Sequence, residues 1–170
     1  WTQADGARVV AATDRLDVYF EQPCATIEEC AQLRRSTQRP FVLDESLSEL
    51  GDILRARAAG AVDAVRLKLS RFGGITPVRR ARDLAAALGL ETTIEDSGGG
   101  DVVTAAVAHL SCSIPPRLLL AGYLPSEMTA ERIAAGTPSA ADGRAHLPAA
   151  PGLGIEVDEA ALGEPVLRVE

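Results

Sequence analysis

The chain has 170 residues, 46% of them apolar, with a mean hydropathy of +0.07, which is enough for one domain with a sizeable core and excludes a disordered segment. Its 17 basic and 24 acidic residues leave a net charge of -7, so neither nucleic acid nor an anionic membrane is an expected partner. No apolar run approaches the roughly 18 residues that span a bilayer, and the opening Trp1–Asp5 has no basic or apolar leader region, so a cytoplasmic location is expected.

A first helix is predicted over about Ala4 to Ala12, followed by a short strand at Val18-Tyr19-Phe20. Thr26-Ile27-Glu28-Glu29 is a capping box and opens a helix that should run to about Thr37. Phe41-Val42-Leu43 reads as a strand, Ser48 to Ala59 as a helix closed by Gly60, and Ala64 to Leu67 as a strand. Thr76-Pro77 reads as an N-cap with proline at the first helical position, and Gly89 ends that helix. Thr92-Thr93-Ile94 is the next strand, Asp101 to Leu110 the next helix, and Leu118-Leu119-Leu120 the last strand. Gly98-Gly99-Gly100 reads as a turn that needs a permissive backbone, because no Gly-Lys-Ser/Thr follows it. The odd set Cys24, Cys30 and Cys112 lacks CxxC spacing and reads as free, buried thiols. His109 reads as a packed residue, His146 as a surface one, and Arg79-Arg80-Ala81-Arg82 as an outer helix face.

Stepping from Val18 to Phe41, Val65, Thr92 and Leu118 advances the chain by 23, 24, 27 and 26 residues, the pitch of repeated strand–helix units and hence of a parallel sheet. Such a sheet is either doubly wound or part of an eight-stranded barrel. The doubly wound alternative lacks its GxGxxG fingerprint. In a barrel, functional side chains sit at the C-terminal strand ends. Glu21 follows the first strand, Asp44 and Glu45 the second, Lys68 ends the third, and Glu95 and Asp96 follow the fourth.

Glu21 and Asp44, on neighbouring barrel strands, present hard oxygen donors of the kind Mg²⁺ accepts. Lys68 cannot be a ligand; beside a divalent cation and partly buried, it is expected to have a lowered pKa and to act on protons. A metal holding a substrate carboxylate next to a lysine is equipment for removing the proton α to that carboxylate.

Four segments, Glu21-Gln22-Pro23, Leu43-Asp44-Glu45-Ser46, Lys68 through Thr76 (KLSRFGGIT) and Pro151-Gly152-Leu153-Gly154-Ile155, resemble in order and spacing the enolase superfamily, in its mandelate racemase and muconate-lactonizing branch. The resemblance implies that Glu21 and Asp44 are metal ligands, that Lys68 is an acid/base on the sixth barrel strand, and that Glu45 is a neighbour of the ligand. It also implies Mg²⁺, a small-molecule carboxylate substrate and a homo-oligomeric parent enzyme. Within the branch, Phe20 through Cys24 and Ile94-Glu95-Asp96 are similar to cis-3-hydroxy-L-proline dehydratases, while Gly99-Gly100-Asp101 is similar to 4-hydroxyproline betaine 2-epimerases. Gly98 stands where the betaine enzymes carry a tryptophan, the aromatic face a quaternary ammonium requires, so dehydration is preferred. Glu95 or Asp96 would then meet a secondary ring amine.

The resembled enzymes place a capping domain, three further strands, a second lysine and a first metal-ligand aspartate before the matched stretch. The expectation is therefore an α/β chain forming the C-terminal part of a (β/α) barrel, strands four to eight, over residues 1–147, with 148–170 a return segment toward the capping domain. A closed barrel takes about 250 residues. The alternatives are an epimerase, a dipeptide epimerase or a muconate-type cycloisomerase and, from another class, an inert half-barrel.

Overall fold

The apolar runs read as strands assemble into one parallel sheet in the computed structural model, which describes residues 1–167. The strands are β1 (Phe20–Glu21), β2 (Phe41–Leu43), β3 (Ala64–Lys68), β4 (Glu91–Glu95) and β5 (Leu119–Gly122), and they lie side by side in chain order. Helix α1 (Gln3–Thr13) precedes β1, and the crossovers carry α2 (Ile27–Arg34), α3 (Leu50–Ala58), α4 (Leu69–Phe72) with α5 (Ile75–Ala87), and α6 (Gly100–Cys112). In-order parallel strands with a helix at every crossover are the winding of a (β/α) barrel; a doubly wound sheet would reverse its order at a switch point.

Side chains alternate across a strand, so each strand has a helix-facing set and an opposite set. Val65, Leu67 and Ile94 are fully buried in one core with Val78, Ala81 and Ala85 of α5, and Phe41 and Leu43 share that core with Cys30, Leu33 and Ile53. Burying each such Leu, Ile or Phe contributes roughly 1.5–3 kcal/mol. The opposite face carries Arg66, Lys68, Thr93 and Glu95, with Arg66 in register with Thr93 and Lys68 with Glu95. That face is polar where a barrel interior is commonly packed with Val, Ile and Leu.

Several boundaries differ from the sequence reading. Val18 and Tyr19 lie outside β1, because pairing starts where Phe20 N–H donates to the Pro40 carbonyl and Pro40 has no N–H to extend the ladder. Helix α2 stops at Arg34, whose guanidinium turns to Asp63 and to the Thr37 carbonyl (2.8 Å). The α5 cap is Gly74 rather than Thr76: Gly74, at φ 115°, follows the unpredicted turn α4, and its carbonyl accepts from Val78 N–H. Cys112 is exposed, unlike Cys24 and Cys30. The Gly98–Gly100 turn is borne out at Gly99, where φ is 99° and a Cβ would stand 2.1 Å from Val103 Cγ2.

After β5 the chain forms short pairings with no periodic signature: β6 (Ala134–Ala135) runs antiparallel to β9 (Glu156–Val157), and β7 (Ala140–Ala141) to β8 (Arg144–Ala145), before α7 (Glu159–Leu162). Buried Asp101 ties this tail to α6, accepting from Ile133 N–H (2.6 Å), Ala134 N–H (3.0 Å) and Arg132 Nη1 (3.1 Å). His109 packs its Nε2 against the Leu153 carbonyl at 3.2 Å. Residues 168–170 of the expected return segment lie outside the described residues. Among the described residues, no helix is long and apolar enough to cross a membrane.

Candidate active site

The parallel register carries β1, β2, β3 and β4 to one rim, and their ends deliver a chain of alternating charges. Lys68 Nζ lies 3.0 Å from Asp44 Oδ2 and 3.0 Å from Glu95 Oε1. Arg66 Nη2 lies 2.8 Å from Glu21 Oε2, and its Nη1 lies 3.0 Å from Glu95 Oε2. Arg71 holds Asp44 from the other side, donating to Oδ1 and, at 2.8 Å, to the backbone carbonyl. Asp44 and Glu95 are buried, whereas the Glu21 side chain is 40% exposed.

Local backbone explains the placement. Gln22, at φ 34°, turns the chain after β1, and its Oε1 accepts from Asp44 N–H (2.9 Å), Ser46 N–H (3.3 Å) and Ser46 Oγ (3.0 Å). One side chain thus ties the loop carrying Asp44 to the end of the strand carrying Glu21. Lys68 is both the last residue of β3 and the cap position of α4, and Arg71 lies one turn further on.

The sequence-predicted residues separate into groups. Glu21, Asp44, Lys68 and Glu95 form one ion-paired network. Asp96 is buried beside it, but its oxygens accept from Ser70 N–H (2.7 Å), Ser70 Oγ (2.6 Å) and Ser97 N–H (2.7 Å), which ties the end of β4 to the start of α4. Glu45 is exposed, and its negative charge is one of the influences that raise the pKa of Glu21. Sequence reasoning missed Arg66, Arg71 and Gln22. The alternation signal that places Arg66 two residues before Lys68, on the same face, was available for the first of these.

Burial works against the charge on Lys68, but hydrogen bonds and attraction from Asp44 and Glu95 outweigh it and hold the amine above its ordinary pKa; the lowering expected from the sequence belongs to an amine with a divalent cation beside it. Glu21 is raised above the ordinary carboxylate value, first by burial, with Arg66 opposing and the neighbouring carboxylates Asp44, Glu95 and Glu45 adding to the rise.

Glu21 and Asp44 match Mg²⁺ in donor chemistry, as hard carboxylate oxygens at one rim. They are an incomplete set: among the described residues no three His, Cys, Asp or Glu side chains form a metal-holding group. A cavity of about 470 Å³ adjoins the network, lined by Arg66, Thr93, Glu95, Asp96 and residues of β5 through Tyr123 and Met128. A larger cavity of about 570 Å³ lies between α6, β5 and the β7–β8 hairpin and contains none of the network residues.

The family model for the enolase C-terminal domain-like family matches residues 1–161. A cis-3-hydroxy-L-proline dehydratase from Roseibium aggregatum is 45% identical over 168 residues, 99% of this chain and 46% of the relative. Further relatives are o-succinylbenzoate synthases and a muconate cycloisomerase. A crystal structure of a mandelate racemase/muconate lactonizing enzyme from Roseovarius nubinhibens superposes with a TM-score of 0.92 at 35% identity, over 98% of this chain and 45% of that one. A second enolase-superfamily structure from that organism, complexed with magnesium, gives 0.92 at 38% identity, over 98% of this chain and 46% of that one. The chain spans about half the length of these proteins, all of them described as enzymes or as members of enzyme families. With a barrel winding, charged strand ends and matches of this extent, the chain belongs to the enolase superfamily, in its mandelate racemase/muconate lactonizing branch, and corresponds to the C-terminal part of the barrel.

Proposed function

We propose that this chain carries half of an active site that removes the proton α to a substrate carboxylate, and that the reaction is the dehydration of cis-3-hydroxy-L-proline. The observation that carries the reading is the Lys68 amine, 3.0 Å from the buried Asp44 carboxylate, on the rim that also bears Glu21. In this reading Glu21 and Asp44 hold Mg²⁺, with Glu45 beside them. Bound there, the ion would supply positive charge against the negative charge that develops on the substrate carboxylate.

Lys68 handles a proton at the α-carbon. In the arrangement described it is an ammonium, suited to donating, and it can accept once its proton has left. Removing the α-proton leaves an electron pair shared with the carboxylate; the C–O bond at the β-carbon then breaks, a carbon–carbon double bond forms, and the hydroxyl departs as water after taking up a proton. In this reading Glu95 or Asp96, which line the adjoining cavity, would meet the ring amine. The 45% identity to the Roseibium dehydratase supports the substrate. The same proposal assigns residues 1–147 to the barrel and 148–170 to the return segment.

The test is ¹H NMR of the full-length protein with Mg²⁺ and cis-3-hydroxy-L-proline in D₂O. The expected result is loss of the α-proton signal together with loss of the signal of the proton on the hydroxyl-bearing carbon, as the hydroxyl leaves in water. Deuterium at the α-carbon without water loss identifies an epimerase instead, and an unchanged spectrum overturns the assignment of this substrate.

A further inference from the structure

Arg66 is a network member that the reading above leaves without a task. It sits mid-strand in β3, two residues before Lys68 and on the same face, in register with Thr93. Its two terminal nitrogens are divided between Glu21 at 2.8 Å and Glu95 at 3.0 Å. Glu95 is in turn divided: one oxygen takes Arg66 and the other takes Lys68. A continuous path therefore runs from Glu21 through Arg66 and Glu95 to the Lys68 amine, each link an ion pair with a nitrogen–oxygen distance of 3.0 Å or less.

The guanidinium is not placed for its own satisfaction, because its Nε is buried without a hydrogen-bond partner among the described residues. A buried donor left unpaired is costly, so the two carboxylates dictate where the fork lies. A planar, permanently charged fork can fix two carboxylates at once; a lysine ammonium is a point charge and holds such a pair less rigidly.

We propose that Arg66 is a positioning residue that sets the spacing between the metal-binding carboxylate Glu21 and the proton-handling amine Lys68, with Glu95 as the coupling arm. The inference rests on the functional reading above and adds to it a residue that acts through others. Arg66 holds Glu21 in place but also competes, as a cation, with any cation bound there.

The experiment compares full-length wild type with Arg66→Met and Arg66→Lys. Mg²⁺ affinity is read by calorimetry, and kcat and KM by loss of the substrate α-proton signal in D₂O. Positioning predicts that Arg66→Met lowers kcat by about 10- to 100-fold, since misplacement by about an ångström costs on that order. KM should stay within about threefold, and Mg²⁺ should bind at least as tightly, because a competing charge has gone. Arg66→Lys should recover part of kcat.

A rise in KM with kcat unchanged overturns the proposal, because Arg66 would then bind substrate directly. Parallel losses of kcat, Mg²⁺ affinity and melting temperature overturn it in favour of a purely structural role. Unchanged Arg66→Met kinetics overturn it while leaving the functional reading intact. A wild type that binds no Mg²⁺ and removes no α-proton overturns both.

Discussion

Replacing Asp101 by Asn tests how the tail is fastened to the barrel segment. The carboxylate is almost fully buried, with both backbone N–H groups of Ile133 and Ala134 on Oδ2 and Arg132 on Oδ1. An asparagine can keep its carbonyl toward the two backbone donors, but its amide then faces Arg132, donor against donor. Arg132 is half exposed and can swing into water, so the loss is one charge-assisted bond and the weakening of two others. That amounts to roughly 1.5–3 kcal/mol, or about 4–10 °C in melting temperature for a chain of this size. Burial alone would raise the pKa of Asp101, yet the hydrogen bonds from Ile133, Arg132 and Ala134 prevail and hold it below the ordinary value. A carboxylate depressed in the folded state stabilises fully above its unfolded pKa of about 3.9, and the stabilisation is lost as pH falls through the lower folded value. Thermal unfolding of wild type and Asp101→Asn between pH 2 and pH 7 should therefore show a gap that is widest at neutrality and closes below about pH 4. A gap that is constant with pH, or wider in acid, would refute the assignment of the carboxylate as the fastener.

Lys68→Met should slow removal of the substrate α-proton by about 10²–10⁴-fold, the usual worth of a positioned acid/base, while circular dichroism stays native. Its stability cost should be about 1–3 kcal/mol, below that of an orphaned buried ion, because Asp44 keeps Arg71 and Glu95 keeps Arg66. Gly122→Ala puts a Cβ 2.7 Å from Ser111 Oγ and 3.0 Å from Ser111 Cβ, and should cost about 1–3 kcal/mol in denaturant titration. Tyr19, hydrogen-bonded to Glu91 at 2.6 Å, has its pKa pushed up to about 12 by that bond and by burial, so ultraviolet titration should show a late phenol ionisation that Tyr19→Phe removes.

The strand order, the five longer helices and the rim were legible in the sequence because each depends on local regularities: apolar runs at near-constant pitch and acids just past strand ends. Glu21, Asp44 and Lys68 share a rim since parallel strands started in register also finish together. What escaped depends on contacts between distant residues. Arg66 looks like any charged residue within a strand until cross-strand register sets it between Glu21 and Glu95. The charge on Lys68 is decided by two carboxylates that lie 24 and 27 residues away in the sequence, from Asp44 and Glu95 respectively. Gln22 shows its role only when its side chain reaches Asp44 and Ser46 on the next loop. The β6–β9 and β7–β8 pairs are two residues per strand, too short for any period to register.

The most direct test of the central claim is a crystal structure of the full-length protein grown with Mn²⁺ in place of Mg²⁺, with the ion located by its anomalous scattering. The account predicts one strong peak in coordination contact with carboxylate oxygens of both Glu21 and Asp44, with the Lys68 amine beside it but not bound. A peak held by other residues, or Glu21 and Asp44 still locked to Arg66, Lys68 and Arg71 with no ion between them at saturating Mn²⁺, would contradict it.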